Sequence, residues 1–492
     1  MGRSVNHWEA YRGALTKIIV CIDIGTTNSG ASYCLLEPGK APKVYDTGTY
    51  PHAPRGSYKA PSLVAFDRTG KCVAIGSEVQ HYFITHGDDV HVAKWWKLAL
   101  TTDHIATNVD VSRHIDIPPN ISAQEVFIKY IKWIFQCVEK DITTRYKDGP
   151  EILAKTKASR ELILTHPNTW DGRAHSAMRK AAVQAGIVDE GMAESSIRFL
   201  TEAEASLTYA VLHSSLQAWI KPKQNLVVAD LGGGTCDISS YEIVETNPTL
   251  EIRESAPAQC VVAGATTVEA RAKSLVSERL RGSEWDGQGN LDWIGQKLWD
   301  TIVSHFHQPD NHVWIHLGQA RHTDELRGIK DGKICFGSDE LAALFEPSIQ
   351  AVAKALKEAL KGSASLEHKV VLVGGFAENH YVRRRLASIM GETVSLIKAD
   401  NVLSKAVANG GCSWAIQSVI SQRMSTASYG VRCAIPYDRS KPEHQERRQY
   451  SAMHSDGVSR LPNAYLELLP AVSIENALGF ISTSNTDAEQ SI

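Results

Sequence analysis

The sequence predicts an α/β protein built from two similar lobes. Two stretches indicate this, because each runs from an apolar strand through an acidic residue into a glycine turn. The first is residues 17–32, KIIVCIDIGTTNSGAS, and the second is residues 226–243, LVVADLGGGTCDISSYEI. Their acidic residues, Asp23 and Asp230, lie far apart in the chain. A repeat at that distance favours two lobes over a solenoid of short units.

Both turns have a chemistry suited to phosphate. Consecutive glycines let the backbone take positive φ and bring N–H groups close to a bulky anion. A carboxylate before the turn can hold the water shell of a cation, and a hydroxyl after it can meet an oxyanion. An ordinary glycine hairpin is the alternative for either stretch alone. If both face one cleft, the residues that grip a polyphosphate are Gly25, Thr26, Thr27 and Asn28 from the first turn and Gly232, Gly233, Gly234 and Thr235 from the second.

The two turns resemble the phosphate motifs of the actin, sugar-kinase and heat-shock ATPase superfamily. DIGTTNSG (residues 23–30) and DLGGGTCD (residues 230–237) are most similar to the ATPase domain of the seventy-kilodalton heat-shock proteins, in a divergent branch that keeps little of the peptide-binding domain. The resemblance covers roughly residues 17–430. It implies an actin-like ATPase fold of two lobes, each a five-stranded mixed sheet with flanking helices. ATP or ADP with Mg²⁺ would bind in the nucleotide cleft between them.

On this basis the chain divides into five parts. We expect a leader at 1–16, the first lobe at 17–224, the second lobe at 225–394, a return helix to the first lobe within 395–426, and a short β-type remnant with a polar tail at 427–492. The return helix is predicted over residues 401–420. The last part has room for a few strands, but not for a full peptide-binding sandwich with a helical lid.

Composition narrows the class further. The chain has 492 residues, of which 43% are hydrophobic and 22% charged, as in a soluble globular protein. A net charge of −3 gives no electrostatic reason to expect nucleic acid as a partner. Nine scattered cysteines without a CxxC pair favour reduced thiols in the cytoplasm, or also the nucleus, and disfavour a zinc site. Because no apolar run reaches spanning length, we expect no membrane association.

The first lobe opens with strands and continues into a helical stretch at residues 92–100, VAKWWKLAL. In the family a lysine of this region reaches the γ-phosphate and the attacking water. The spacing favours Lys97 for that role, with Lys94 as the rival. A long helix is predicted over residues 122–147, because Ser122 and Glu125 form a capping box ahead of apolar residues at helical spacing.

The end of the first lobe carries a second candidate for the site. A strand at 161–167 precedes a helix at 171–185, which Gly186 closes. A short strand at 197–200 then leads into a glutamate-containing turn. The resemblance assigns Glu202 to ordering the waters of Mg²⁺, with Glu204 as the alternative. Either glutamate could instead be favoured in the first turn of a helix by the helix dipole.

In the second lobe we predict strands at 250–255 and 261–267, then helices to Leu280 and over 291–306. The family places a glycine turn near the nucleotide here, and Gly264 is its candidate. A strand at 370–373 ends in Gly374, Gly375 and Phe376, which resemble the adenosine motif. Residues 299–307, WDTIVSHFH, lack the Lys/Arg pair that brackets adenine and ribose in the family. Recognition of the base should therefore differ.

The resemblance also implies roles in catalysis. The catalytic candidates are Asp230, Thr235, Lys97 and Glu202, and the metal candidates are Asp23, Asp230 and Asp237. Asp237 would support the turn or hold a monovalent cation such as K⁺. Three functions follow: a slow chaperone-like ATPase, a non-hydrolysing nucleotide sensor or scaffold, and, less favoured, a sugar-kinase-like transferase. Besides the nucleotide, protein clients and co-chaperones are the expected partners.

Overall fold

The structure is a computed structural model. It describes residues 8–54, 56–86, 90–100, 114–213, 216, 220–246, 250–306, 312–319, 321–361, 368–398, 406–424, 428–469 and 474–476. Four sequence predictions fall partly outside these ranges: the start of the leader (1–7), residue 307 of the 299–307 segment, the start of the return helix (401–405) and the end of the tail (477–492).

The N-terminal region forms the first lobe. Its described strands are β1 (Lys17–Ile24), β2 (Asn28–Leu36), β3 (Val44–Asp46), β4 (Ala60–Pro61), β5 (Val64–Asp67), β6 (Cys72–Ile75), β7 (Val90–Ala93), β8 (Glu161–His166) and β9 (Ile197–Thr201). Its described α-helices are α1 (Glu78–His86), α2 (Ala123–Arg145), α3 (Gly149–Thr156), α4 (Gly172–Gln184), α5 (Ala193–Ser196) and α6 (Glu202–His213). The main sheet runs in the order β3-β2-β1-β8-β9, with β4 paired to β2, and a smaller sheet runs β6-β5-β7.

Local sequence explains the central elements of this lobe. β1 is apolar along nearly its whole length because it lies between antiparallel β2 and parallel β8 and is buried on both faces. α2 begins at the predicted capping box of Ser122 and Glu125, and its apolar face packs into the core beside the sheet. α4 is capped by Asp171, whose carboxylate accepts two backbone N–H groups, and Gly186 follows it at a φ of 74°.

The middle of the chain forms the second lobe. Its described strands are β10 (Asn225–Leu231), β11 (Cys236–Glu245), β12 (Glu251–Val261), β13 (Val313–His316), β14 (Ile329–Lys330), β15 (Lys333–Phe336), β16 (His368–Val373) and β17 (Val394–Lys398). Its described α-helices are α7 (Ala265–Leu280), α8 (Gln288–His305), α9 (Ser338–Ala359) and α10 (His380–Met390). β10 lies between antiparallel β11 and parallel β16, as β1 lies between β2 and β8. The two predicted hairpins therefore have the same setting.

The C-terminal region returns to the first lobe and then to the second. Its described elements are α11 (Ala406–Ile416), β18 (Ile420–Met424), β19 (Tyr429–Pro436), α12 (Pro442–Glu446), β20 (Ala452–Met453), β21 (Ser459–Leu469) and β22 (Ile474–Asn476). α11 packs closely on the first lobe, because Gly410 lies against the Ala205 carbonyl and Gly411 against Cys21. β18 and β22 extend the second main sheet to the order β17-β16-β10-β11-β12-β18-β22. A small sheet, β19-β21-β20, completes the described part.

Three predicted elements were wrong in extent. Residues 92–100 are not one helical stretch: β7 continues to Ala93 because it pairs with β5, and a 3₁₀ turn covers Trp96–Leu100. β12 is one strand to Val261, where we predicted two, and helix α7 begins at Ala265. The return helix ends at Ile416, because Ile420 already belongs to β18.

The sheets also differ from the expected five strands each. In the first lobe the main path has five strands, and the short β4 adds a sixth at β2. In the second lobe the five strands from β17 to β12 are extended by the C-terminal β18 and β22. These additions lie at the edges, so the centre of each sheet, which carries the hairpin, is unchanged. The architecture is that of an actin-like ATPase fold.

Candidate functional site

The two glycine hairpins face each other across a cavity of about 640 Å³. The β1–β2 turn enters it from one lobe and the β10–β11 turn from the other. Of the residues predicted to grip phosphate, all eight line it: Gly25, Thr26, Thr27, Asn28, Gly232, Gly233, Gly234 and Thr235. A polyphosphate in this cavity would therefore meet backbone groups from both lobes.

The turn glycines are required by close approach rather than by positive φ. None of Gly25, Gly232, Gly233 and Gly234 has a positive φ, so that part of the sequence reasoning is wrong. A Cβ on Gly233 would lie 2.5 Å from Thr27 Oγ1, and a Cβ on Gly234 would lie 2.5 Å from Thr26 Oγ1. The two turns can meet in this way only if the second has no side chains.

Asp23 and Asp230 occupy equivalent places at the ends of β1 and β10. Asp23 is 2% exposed, and its two oxygens accept hydrogen bonds from Thr165 Oγ1 at 3.2 Å and Lys59 Nζ at 2.9 Å. Asp230 is 5% exposed and accepts from Ser206 Oγ at 3.1 Å. Gly374, with a φ of 86°, lies against the other Asp230 oxygen, where any side chain would clash.

The carboxylates of this region repel one another. Burial raises the pKa of Asp230 to about 7, and the negative charges of Glu202, Asp237 and Asp23 add to that effect, while Lys59 opposes it. Burial and Glu202 likewise raise the pKa of Asp237 to about 7, against the hydrogen bond from the Asn168 backbone. The site therefore holds more negative charge than its own cations neutralise.

That charge fits a hydrated divalent cation. Among the residues the structure describes, no group of three or more His, Cys, Asp or Glu side chains is placed to chelate a metal directly. Asp23, Glu202 and Asp230 nevertheless all line the cavity. Mg²⁺ usually keeps several of its waters and is held by one or two carboxylates plus substrate phosphates. Asp23 and Asp230 are suited to hold it through those waters.

The structure gives the positions of both lysines and both glutamates between which the sequence left a choice. Lys97 is buried, lines the cavity and donates to Glu202 Oε1 at 2.6 Å. Lys94 is outside the lining and its backbone bridges Asp116. Glu202 begins α6 and lines the cavity. Glu204 points elsewhere and accepts two hydrogen bonds from Arg423, at 2.9 and 2.6 Å.

Two predicted residues lie behind the cavity wall. Gly264 packs on the back of the second turn, where its N–H donates to the Gly234 carbonyl at 3.1 Å. Asp237 is 1% exposed and accepts from the Asn168 backbone N–H at 2.6 Å. Both hydrogen bonds support the hairpin, and neither residue lines the cavity.

Another part of the lining comes from α8 and the turn after β16. Gly374, Gly375 and Phe376 line the cavity, as do Trp299 and Val303 of α8, which lie in the segment that lacks the basic pair. Glu378 also lines it, and its carboxylate accepts from Lys398 Nζ at 2.6 Å. The neighbouring Asn379 is buried and caps α10 through Val382 N.

Sequence reasoning missed several lining residues. They are Lys59, Ala265, Glu269, Trp299, Val303, Glu378 and Val407. Trp299 and Val303 were identified only as members of a segment without basic residues. No local motif marks Lys59. Its place in the cavity depends on the pairing of β4 with β2 of the first hairpin.

Comparison with known proteins agrees with this geometry. No protein-family profile matches the chain. Heat shock 70 kDa protein 12A from Homo sapiens is 20% identical over 504 aligned residues, which span 86% of this chain and 73% of that protein, and the Mus musculus protein gives the same values. Chaperone protein DnaK from Ureaplasma urealyticum is 25% identical over 287 residues, 58% of this chain and 36% of DnaK.

The chain is a distant homologue of the seventy-kilodalton heat-shock proteins. It is a nucleotide-binding protein of that type, with an ATPase-like domain. Within the described ranges, no helix is both long enough and apolar enough to cross a membrane.

Proposed function

We propose that this heat-shock-type protein hydrolyses ATP to ADP and phosphate in the cavity between its lobes. The observation that carries the proposal is the contact between the two hairpins, Gly233 against Thr27 and Gly234 against Thr26, with buried carboxylates on either side. A ligand with several phosphates can be held by such a pair of turns from both lobes at once. Phosphoryl transfer depends on this positioning and on charge neutralisation more than on covalent chemistry.

The side chains have separate roles in this proposal. Backbone N–H groups of the two turns bind the β- and γ-phosphates, and each charge-assisted hydrogen bond contributes about 1.5–3 kcal/mol. Lys97, oriented by Glu202, neutralises charge at the terminal phosphate. Asp230 or Thr235 orients the attacking water. Mg²⁺, when bound, neutralises the phosphate charge, and Asp23, Asp230 and Glu202 hold and order its waters.

Asp237 has a narrower role in this proposal. Its carboxylate accepts the Asn168 N–H and lies outside the cavity lining. This favours support of the hairpin over direct binding of K⁺ or Mg²⁺. The Asn168 contact also joins the second hairpin to the segment after β8, so Asp237 connects the lobes.

A second candidate is a nucleotide sensor or scaffold that binds without hydrolysis. One observation favours it: Trp299 and Val303 line the cavity and belong to the segment in which the family has a Lys/Arg pair. Loss of that pair would weaken nucleotide binding without removing the phosphate turns. In either case, protein clients and co-chaperones are proposed partners, and the nine free cysteines support a reducing, cytoplasmic compartment.

Single-turnover conversion of Mg²⁺-ATP by excess protein separates these functions. We expect ADP and phosphate to form without any sugar, and the rate to be unchanged by added hexoses or glycerol. ATP that binds but remains unconverted over hours would favour the sensor. Conversion that requires a sugar and yields a sugar phosphate would favour the sugar-kinase-like transferase.

A further inference from the structure

Lys59 lines the cavity from a segment that neither hairpin contains. It immediately precedes β4, which pairs with β2 so that Ala60 lies opposite Ser29. In the next pair of strands, Gly30 of β2 lies opposite Asp23 of β1. Lys59, Gly30 and Asp23 therefore follow one another across three neighbouring strands.

Gly30 makes this crossing possible. A Cβ at Gly30 would lie 3.3 Å from Lys59 Cγ and 3.8 Å from its Cε, so the lysine stem passes over the glycine. The ammonium reaches Asp23 Oδ2 at 2.9 Å, and the Lys59 side chain is 25% exposed, towards the cavity it lines. The lysine side chain is therefore positioned by its contact with Gly30 and by its ion pair with Asp23.

The Lys59 ammonium has donors left for a ligand. Among the described residues it donates one hydrogen bond, to Asp23, and an ammonium has three N–H groups. The ion pair with Asp23 holds this ammonium beside the phosphate turns, in the lining of the cavity.

We propose that Lys59 is a fixed cation of the nucleotide site, which binds the phosphate chain directly and makes nucleotide binding less dependent on Mg²⁺. This inference rests on the proposed binding of ATP and ADP in this cavity. Lys97 pairs with Glu202, whereas Lys59 pairs with Asp23, and both lysines line the cavity. Two lysines on different carboxylates can hold a polyphosphate before a metal ion arrives.

The test compares ADP binding with Mg²⁺ and with EDTA, by calorimetric titration of the whole chain. The wild type should keep its affinity in EDTA to within about tenfold of that with Mg²⁺. Lys59→Met keeps the stem but removes the charge, so its affinity should fall about tenfold to a hundredfold further in EDTA, as expected for one charged hydrogen bond. Its loss with Mg²⁺ should be smaller, and Lys59→Arg should bind in EDTA like the wild type.

Lys40→Met is the matched control. Lys40 forms an ion pair of the same 2.9 Å length with Glu37 in the same lobe, but its side chain is 68% exposed and outside the cavity. Its removal should change ADP affinity in neither buffer. If Lys59→Met does not give the wild-type far-ultraviolet circular dichroism, Lys59→Gln replaces it, with the same expected loss.

Three results would overturn the proposals, and they distinguish failure of the role of Lys59 from failure of the nucleotide site. Equal affinity of Lys59→Met and wild type in EDTA, or a wild type that binds ADP only with Mg²⁺, removes the role of Lys59 and leaves the proposed function intact. A wild type that binds ADP in neither buffer removes the nucleotide site itself.

Discussion

The Asp230 carboxylate is almost completely buried beside the second glycine turn. Ser206 donates to one of its oxygens, and Gly374 lies against the other. Burial and the neighbouring carboxylates raise its pKa to about 7. Such an environment is costly for a purely structural residue, because an aspartate without a cationic partner could be replaced by a neutral residue at a gain in stability. It suits a residue that meets a cation and a water.

Asp230→Asn is therefore expected to separate chemistry from binding. The amide keeps the volume and can accept from Ser206, but it cannot hold Mg²⁺ waters as an anion. Hydrolysis should slow about a hundredfold or more, the scale of losing one electrostatic contact in a transition state. Nucleotide affinity should change by less than about tenfold. Single-turnover rates and equilibrium titration on the same sample measure both, and an equal loss in the two would mean that Asp230 only supports the hairpin.

Trp299, Val303 and Phe376 contribute apolar side chains to the cavity lining, where we propose that the base binds. An apolar slot discriminates between related ligands by only about 1–3 kcal/mol. We therefore expect ATP and GTP affinities within tenfold to about a hundredfold of each other. Competition of the two triphosphates at fixed Mg²⁺ measures this ratio. A much stronger preference for ATP would mean that polar groups such as Glu378 rebuild an adenine pocket.

At the scale of elements, β18 joins the C-terminal region to both lobes. Arg423 pairs with Glu204 of α6, and the Met424 N–H donates to Glu254 of β12 at 2.7 Å. Burial raises the pKa of Glu254 to about 7, and the charge of Glu204 adds to this, while the Met424 N–H and Arg423 oppose it. Tyr241 also faces Glu254. β18 therefore contacts a carboxyl group that resists ionisation.

Glu254→Gln should change how stability depends on pH. Between about pH 4.5 and 7 the folded wild type holds a proton that the unfolded chain has lost, so its free energy of unfolding falls as pH rises through this window. Glutamine can still accept from Met424 and has no such slope. Relative to wild type, the variant should therefore gain about 1–3 kcal/mol between pH 5 and pH 8.

Urea unfolding at the two pH values measures this difference. Glu251→Gln is the control, because Glu251 is an exposed carboxylate on the same strand. It should leave the pH dependence unchanged. If Glu254→Gln shows the wild-type slope, the carboxyl group ionises freely in the folded protein and does not set the stability of the contact between β12 and β18.

The elements predicted well are those with complete local signals. α2 begins at its capping box, and both hairpins have an apolar strand, an acidic residue and glycines within one short stretch. The wrong extents depend on pairing with distant residues. Val90–Ala93 is a strand because it pairs with β5. Ile420 is a strand residue because it pairs with β12. Where two strands were predicted, β12 is one strand that runs through Pro257 with shifts of register around Ser240.

The same reason limits prediction of the site. The hairpin residues were predictable because their chemistry is contiguous in the sequence. Lys59 reaches the cavity from the residue before β4, Glu269 from α7 and Trp299 from α8. No local sequence pattern connects these positions with the hairpins. Spacing favoured Lys97 but left Lys94 as a rival, and the 3₁₀ turn after β7 places Lys97 in the cavity lining beside Glu202.

At the scale of the whole molecule, the hairpins belong to different sheets and different cores. One core surrounds β1 and α2, and the other surrounds β10 and α7 to α9. The described connections between lobes include Asn168 to Asp237 and the close packing of the two turns. Repulsion among buried carboxylates opposes this approach. A ligand that brings phosphates and a cation to the cavity replaces repulsion with contacts to both lobes.

Mg²⁺-ATP and Mg²⁺-ADP should therefore raise the unfolding temperature of the whole chain. Binding to the folded state alone adds about 2.7 kcal/mol when the ligand is at a hundredfold excess over Kd. For domains of this size that corresponds to a shift of several degrees. Scanning fluorimetry measures this shift in unfolding temperature. Adenosine is the control, because it has no phosphate to contact the hairpins and should give a much smaller shift. Because the phosphates meet groups from both lobes, a single transition should move as a whole. If saturating nucleotide moves only one of two separate transitions, the ligand contacts one lobe and the cavity does not close around it.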